Sequence, residues 1–291
     1  MQTRVKNIHK LNSFIPSSPL VVIKNLKQIL LFFLLLSCSR SPEINTEQEE
    51  KITAFFEELL LEHGGAYTLF GSKPITVESL IDYSGGAFQE MQNYLKTHPE
   101  TESISVERNL EEGWIEWKKQ GQKYPSKNYI LTEIQFDHHA LVIFVNIKET
   151  ASVISKNYEE FKRVLKHDFD VSDLILQLRQ GKKDSWKQIL SDFALKGILF
   201  GYGHQNATLF EMHAKEQITG AGPSENNDPR IPAECYLNNK PFRIPIFVML
   251  DINQSTLLVD KYKQERERIK NSYLGKDFLT VTLSQFTSTT D

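Results

Sequence analysis

The sequence predicts an α+β fold: a single, mainly helical domain (47–291) with a small sheet, preceded by a signal-peptide-like segment (1–37) and a polar tether (38–46). Three observations predict it. Two apolar runs, Tyr129–Phe136 and Ala140–Ile147, flank Asp137-His138-His139 as two strands flank a turn. Around them, apolar residues recur every three or four positions, the period of a helix with one buried face. The composition supports a real core, since 40% of the 291 residues are hydrophobic and 11% aromatic. With only two cysteines, it excludes collagen-like, disordered and disulfide-framework proteins.

Taken in order, Thr46-Glu47-Gln48-Glu49 is a capping box. The stripe Ile52, Phe55, Phe56, Leu59 and Leu60 follows as one helix that stops at His63-Gly64-Gly65. Ala66–Phe70 and Lys73–Val77 read as extended pieces about the turn Gly71-Ser72. Helices are expected at Ala87–Thr97 and Val106–Lys119, where Trp114 and Trp117 belong to a core stripe. The second run of the strand pair is apolar on both faces, which marks a central strand covered on both sides. Thr150–His167, Ser172–Gln180, Ser185–Leu199 and Asn206–Lys215 have helical spacing. Residues 216–241 are rich in Gly, Pro and Asn without periodicity and read as a long loop, mobile or used for binding. Phe242–Leu250 reads as a strand at an edge or bulge because of Pro245. Ser255–Leu274 is a helix, and Phe278–Leu283 a short last strand. No internal repeat is present.

At the amino terminus, the unbroken apolar run Ile29–Leu36 follows Lys24 and Lys27 and ends at Ser37-Cys38. About 20 apolar residues are needed to span a bilayer, so the run is too short to cross one and fits the apolar region of an export signal. Leu35-Leu36-Ser37-Cys38 resembles the lipobox of bacterial lipoproteins. That resemblance implies diacylglyceryl transfer to the Cys38 thiol, cleavage after Ser37 and acylation, as with palmitate, of the new amino group. A serine could not replace Cys38, because the lipid is attached through a thioether. Two or three acyl chains, at roughly 0.8 kcal/mol per buried methylene, make attachment effectively permanent. Ser39, where an aspartate would signal retention, implies the outer membrane rather than the inner one. Residues 1–20 lack signal character and read as a misassigned start, with Val21 or Val22 as the initiating codon. The body also resembles uncharacterised lipoproteins of intracellular bacteria through Gly64–Pro74 and Gly197–Gly203. That likeness covers under a tenth of the chain and implies no activity.

The chain has 34 Lys plus Arg against 37 Asp plus Glu. Residues 1–37 hold five of the cations and no acid, so from Cys38 onward 29 cations face 37 anions, a formal charge of −8. An acidic body argues against nucleic acid as a partner. The densest basic run, Lys261–Arg268, is interleaved with Glu265 and Glu267 and reads as a solvated helix face.

Catalytic motifs are scarce. Gly71-Ser72-Lys73 lacks the order of a phosphate loop, and no Gly-x-Ser-x-Gly elbow or His-Glu-x-x-His pair occurs. Asp168–Asp173 imitates a calcium loop, but Arg179 stands where the closing glutamate belongs. Asp137, His138 and His139 could bind a metal only with distant ligands, so neither metal nor cofactor is expected. Cys235, with Glu234 beside it, has no feature that would make a thiolate. His204, Glu211 and His213 could form an acid and base pair if the fold brought them together. The expected role is therefore a lipid-anchored envelope protein that works as a structural or binding module, with the membrane and a protein as its partners. The alternative is an envelope hydrolase with a His/Glu site by the 216–241 loop.

Overall fold

The computed structural model describes residues 46–80, 105–136, 139–215, 236–245 and 252–289. The chain divides into two units, Met1–Asn45 and Thr46–Asp291. The second has the expected architecture, a mainly helical α+β domain with a small antiparallel sheet.

Helix α1 (Thr46–Glu57) runs on into a π-helical turn at Glu58–Glu62. The wider turn lets Leu59, Leu60 and Leu61 all be buried, together with Glu58, where a regular helix would expose one of them. A short helix α2 (Gly65–Leu69) leads to β1 (Ile75–Leu80). Helix α3 (Ser105–Gln120) lies against α1, and Gly113 makes this close approach possible: a Cβ there would overlap Phe55 and come within 2.7 Å of the Lys51 carbonyl.

Strands β2 (Tyr129–Gln135) and β3 (Ala140–Asn146) complete the sheet, with β3 in the middle of the order β1-β3-β2. Both neighbours run antiparallel to it, Ile75 opposite Val145 and Tyr129 opposite Asn146. The doubly apolar reading of β3 holds, because Val142, Ile143, Phe144 and Val145 are all fully buried. Val142 and Phe144 enter one core with α1, α2 and α3, and Ile143 and Val145 enter a second core on the opposite face.

That second core is roofed by α4 (Ile147–Lys156), α5 (Tyr158–Leu165), α6 (Val171–Arg179), α7 (Asp184–Ser191), α8 (Phe193–Leu199) and α9 (His204–Lys215). Trp186 is fully buried there and donates from Nε1 to the Leu174 carbonyl at 2.8 Å. A two-residue hairpin, β4 (Tyr236–Leu237) with β5 (Lys240–Pro241), turns through Asn238 and Asn239, both at positive φ. Helices α10 (Ile252–Tyr273) and α11 (Phe278–Thr287) then return to the first core through Tyr262, Ile269, Tyr273, Phe278 and Phe286. The Glu265 carboxylate of α10 accepts from Ser72 Oγ at 2.6 Å and Ser72 N at 3.2 Å.

Several expected elements differ. Ala66–Phe70 is not extended: Ala66–Leu69 lie in α2, and Phe70 closes it by donating from N to Ala66 O at 2.9 Å. All five residues of α2 are buried, so packing on every side overrides their strand preference. Phe278–Leu283 is likewise helical: Asp277 accepts from Thr280 N at 2.7 Å as an N-cap, and Phe278, Leu279, Thr282 and Phe286 share one buried face. Thr150–His167 and Ser185–Leu199 are each two helices, broken at Asn157 and at Asp192, whose side chain caps α8 by accepting from Leu195 N. From the loop 216–241, only the terminal hairpin is described. Of the strand Phe242–Leu250, residues 242–245 have no strand pairing and the rest lies outside the described residues, as do Ala87–Thr97, the tether and the signal segment.

Candidate functional site

At the open edge of β2, the helical layers on the two faces of the sheet stand apart and enclose a cleft of about 580 Å³. Helix α3 supplies one wall, with Trp114, Trp117 and Lys118; Tyr124 stacks on Trp117 at 5.8 Å between ring centroids. The end of α6 and the start of α7 supply the other, with Arg179 and Lys183. Leu131, Thr132 and Glu133 of β2 form the floor.

Glu133 ties floor to wall. Its carboxylate accepts from Trp114 Nε1 at 2.7 Å and from Lys118 Nζ at 3.1 Å. Burial pushes this carboxyl up, but those two bonds, with the charges of Lys118 and Lys183, outweigh it and hold the group below the usual carboxylate range. Across the cleft, Arg179 Nη2 donates to the carbonyls of Ser126, Lys127 and Tyr129 at 2.6, 3.1 and 3.1 Å, and Lys183 Nζ donates to the Glu133 carbonyl. Three cations, Lys118, Arg179 and Lys183, thus line the cleft with one carboxylate. Among the described residues, Arg179 has no carboxylate partner, so its charge is directed but not neutralised. An acidic chain therefore carries a positive cleft with an aromatic wall.

A second polar cluster sits where α1 ends. His63 Nδ1 lies 2.8 Å from Glu78 Oε2 on β1; Glu58 Oε1 stands 3.8 Å from Nε2, an ion pair rather than a hydrogen bond. Burial pushes the imidazole down, but the two carboxylates outweigh it and raise His63 to about 9. The neighbouring Lys73 is 7% exposed, and its ammonium donates to the His63 carbonyl at 3.4 Å. Burial lowers Lys73 to about 8, against the pull of Glu78. The cluster clamps the π-helical turn to the sheet.

The residues singled out from sequence lie elsewhere. His204 is half exposed at the start of α9, with Nε2 3.5 Å from Glu160 Oε1, a carboxylate already bonded by Arg163 Nε at 3.2 Å. Glu211 is seven positions along the same helix, about 10 Å at 1.5 Å per residue, and so is not paired with His204. His213 is in the same helix, nine positions from His204 and half a revolution around the axis; its side chain lies outside the described residues, as do Asp137, His138, Cys38 and Cys235. His139 stacks flat on Phe136 at 5.0 Å. Among the described residues, no group of three His, Cys, Asp or Glu is placed to hold a metal, and no helix is long and apolar enough to cross a membrane.

Sequence reasoning assigned Trp114 and Trp117 to the core, and both are indeed nearly buried, at 3% and 5%. The missed signal was a lone acid, Glu133, in a strand otherwise without charge, on the same face as Leu131. No family model matches this chain, and neither a curated protein nor a solved structure matches it.

Proposed function

We propose that the chain is a lipid-anchored protein of a bacterial cell envelope, held through Cys38, whose folded body is a binding module that takes its partner in the cleft at the edge of β2. The anchor rests on the apolar run Ile29–Leu36 and the lipobox that closes it, with Ser39 favouring the outer membrane. The binding role rests on one observation: an open cleft of about 580 Å³ joins an aromatic wall to three cations and a fixed carboxylate, a combination suited to recognition. Hydrolysis through His204, Glu211 and His213 has less support, because among the described residues the carboxylate that faces His204 is Glu160, engaged with Arg163.

Two measurements test this. The full chain partitions into the detergent phase, and Cys38→Ser moves it to the aqueous phase; unchanged partitioning overturns the anchor. A photo-crosslinking amino acid at Gln122, on the cleft rim, gives a discrete adduct in intact envelopes, and the same group at Gln188, exposed on α7, does not. Equal labelling at both positions, or none at either, overturns the cleft as the binding surface.

A further inference from the structure

Building on the cleft as the binding surface, we propose that its occupant is an extended acidic peptide that joins the sheet as a fourth strand beside β2. Hydrogen-bond phase decides which groups of β2 are free. Ile147 N donates to Asn128 O at 3.0 Å and Phe136 N to His139 O at 2.8 Å, and both pairs fit the β2 to β3 register. Antiparallel pairing alternates, so the even-numbered residues of β2 bond to β3, and Tyr129, Leu131 and Glu133 turn their N–H and C=O groups outward. The side chains around them agree: Tyr129 N donates to Ser126 Oγ at 3.0 Å, the Tyr129 carbonyl is taken by Arg179, and the Glu133 carbonyl by Lys183. Between these two capped positions, both backbone groups of Leu131 face the cleft with no partner among the described residues.

An exposed strand edge is normally blunted by charge or cover. Here the charge stands at the two ends of a window and the middle is left bare. From Tyr129 to Glu133 the window is about 13 Å long, at roughly 3.3 Å per residue, the length of four residues of added strand. The alternation of side chains sets the pattern it reads. A residue directly opposite Leu131 shares its face, toward the wall of Trp114 and Trp117, and favours an apolar side chain. Its two neighbours point to the other face, where Arg179 and Lys183 wait with a surplus of positive charge, and favour Asp or Glu. The backbone supplies affinity and the acid-apolar-acid alternation supplies selection.

The probe is the capped hexapeptide Ac-Glu-Val-Glu-Val-Glu-Val-NH₂, titrated into the detergent-solubilised full chain while hydrogen exchange at the Leu131 amide is followed. Expected are saturable binding and slowing of that amide by roughly tenfold or more. The Lys-for-Glu analogue should bind roughly tenfold more weakly, since like charges then meet. An analogue N-methylated at its valines should lose both binding and protection. Protection of Leu131 before any probe is added overturns the proposal, because the edge is then already paired; so does equal binding of the N-methylated peptide, or binding that leaves Leu131 exchange unchanged. A trisaccharide of galacturonate serves as a non-peptide anion: if it binds at the cleft and the peptides do not, the strand proposal falls while the binding surface stands. If the Gln122 crosslink also fails, the binding surface falls with it.

Discussion

Raising the pH from 6.5 to 9 should weaken the fold through His63 alone at first, then be partly offset by Lys73. The imidazole is raised in the folded state from 6.5 to about 9 by its two carboxylates. The stability this contributes is fully present below pH 6.5 and is lost as the pH rises through 9. At about 1.4 kcal/mol per pH unit, it is on the order of 3 kcal/mol. Lys73 has the opposite sign. Burial lowers it from 10.5 to about 8, so its penalty is in force below pH 8 and is relieved between 8 and 10.5, where the unfolded chain binds the extra proton. Wild-type stability therefore falls between pH 6.5 and 8 and is nearly level from 8 to 9. Urea unfolding at pH 6.5, 8 and 9, with wild type, His63→Gln and Lys73→Met compared at constant m-value, separates the two. The His63 variant should lose the fall between 6.5 and 8, and the Lys73 variant should keep falling to pH 9. Parallel profiles for wild type and His63→Gln would refute the reasoning, because groups that titrate alike in both cancel in the difference.

Other substitutions test the packing and the caps. Gly113→Ala drives a methyl into Phe55 and the Lys51 carbonyl, and should lower the unfolding free energy by about 1–3 kcal/mol in denaturant titration. Glu265→Ala strands the Ser72 hydroxyl and amide, and should cost about 1.5–3 kcal/mol, with Glu265→Gln recovering part of it. Asp277→Ala removes the α11 cap and should cost about 0.5–2 kcal/mol, read as a lowered urea midpoint; an unchanged midpoint would mean that packing alone holds that helix.

Local chemistry explains which elements were readable from sequence. The β3 residues Val142–Val145 are apolar on both sides because both faces meet a core, and a continuous apolar run is how such a strand must be written. Ala66–Leu69 and Phe278–Leu283 carry the same kinds of side chain, but their burial is completed by partners far away in sequence. Tyr67 stacks on Phe242 at 5.3 Å, and Phe286 of α11 meets Trp117 edge-on at 5.6 Å. The Asp277 cap was legible, and weighing it above the strand preference of Thr280 and Val281 would have found α11. The cleft was not legible, because Trp114, Glu133 and Arg179 meet only once three separate elements have folded. The His63 clamp shares that property: the His63-Gly64-Gly65 helix stop could be read locally, while its partner Glu78 lies in the next strand.

The bond from Glu265 to Ser72 joins positions 193 apart along the chain, and the helix that carries Glu265 also places Tyr262 and Ile269 in the same core as α1. During synthesis, the oily stripe of α1 is made early and the last part of its cover comes at the end. A nascent polypeptide halted before position 250 can lay α3 over Phe55 and Phe56 but lacks Tyr262, Ile269, Tyr273, Phe278 and Phe286, so closure of this half must wait for the final forty residues. Until then, this half of the growing molecule stays open enough to be gripped by a chaperone or lost to a protease, and a nonsense codon even near its end would leave the first core unclosed.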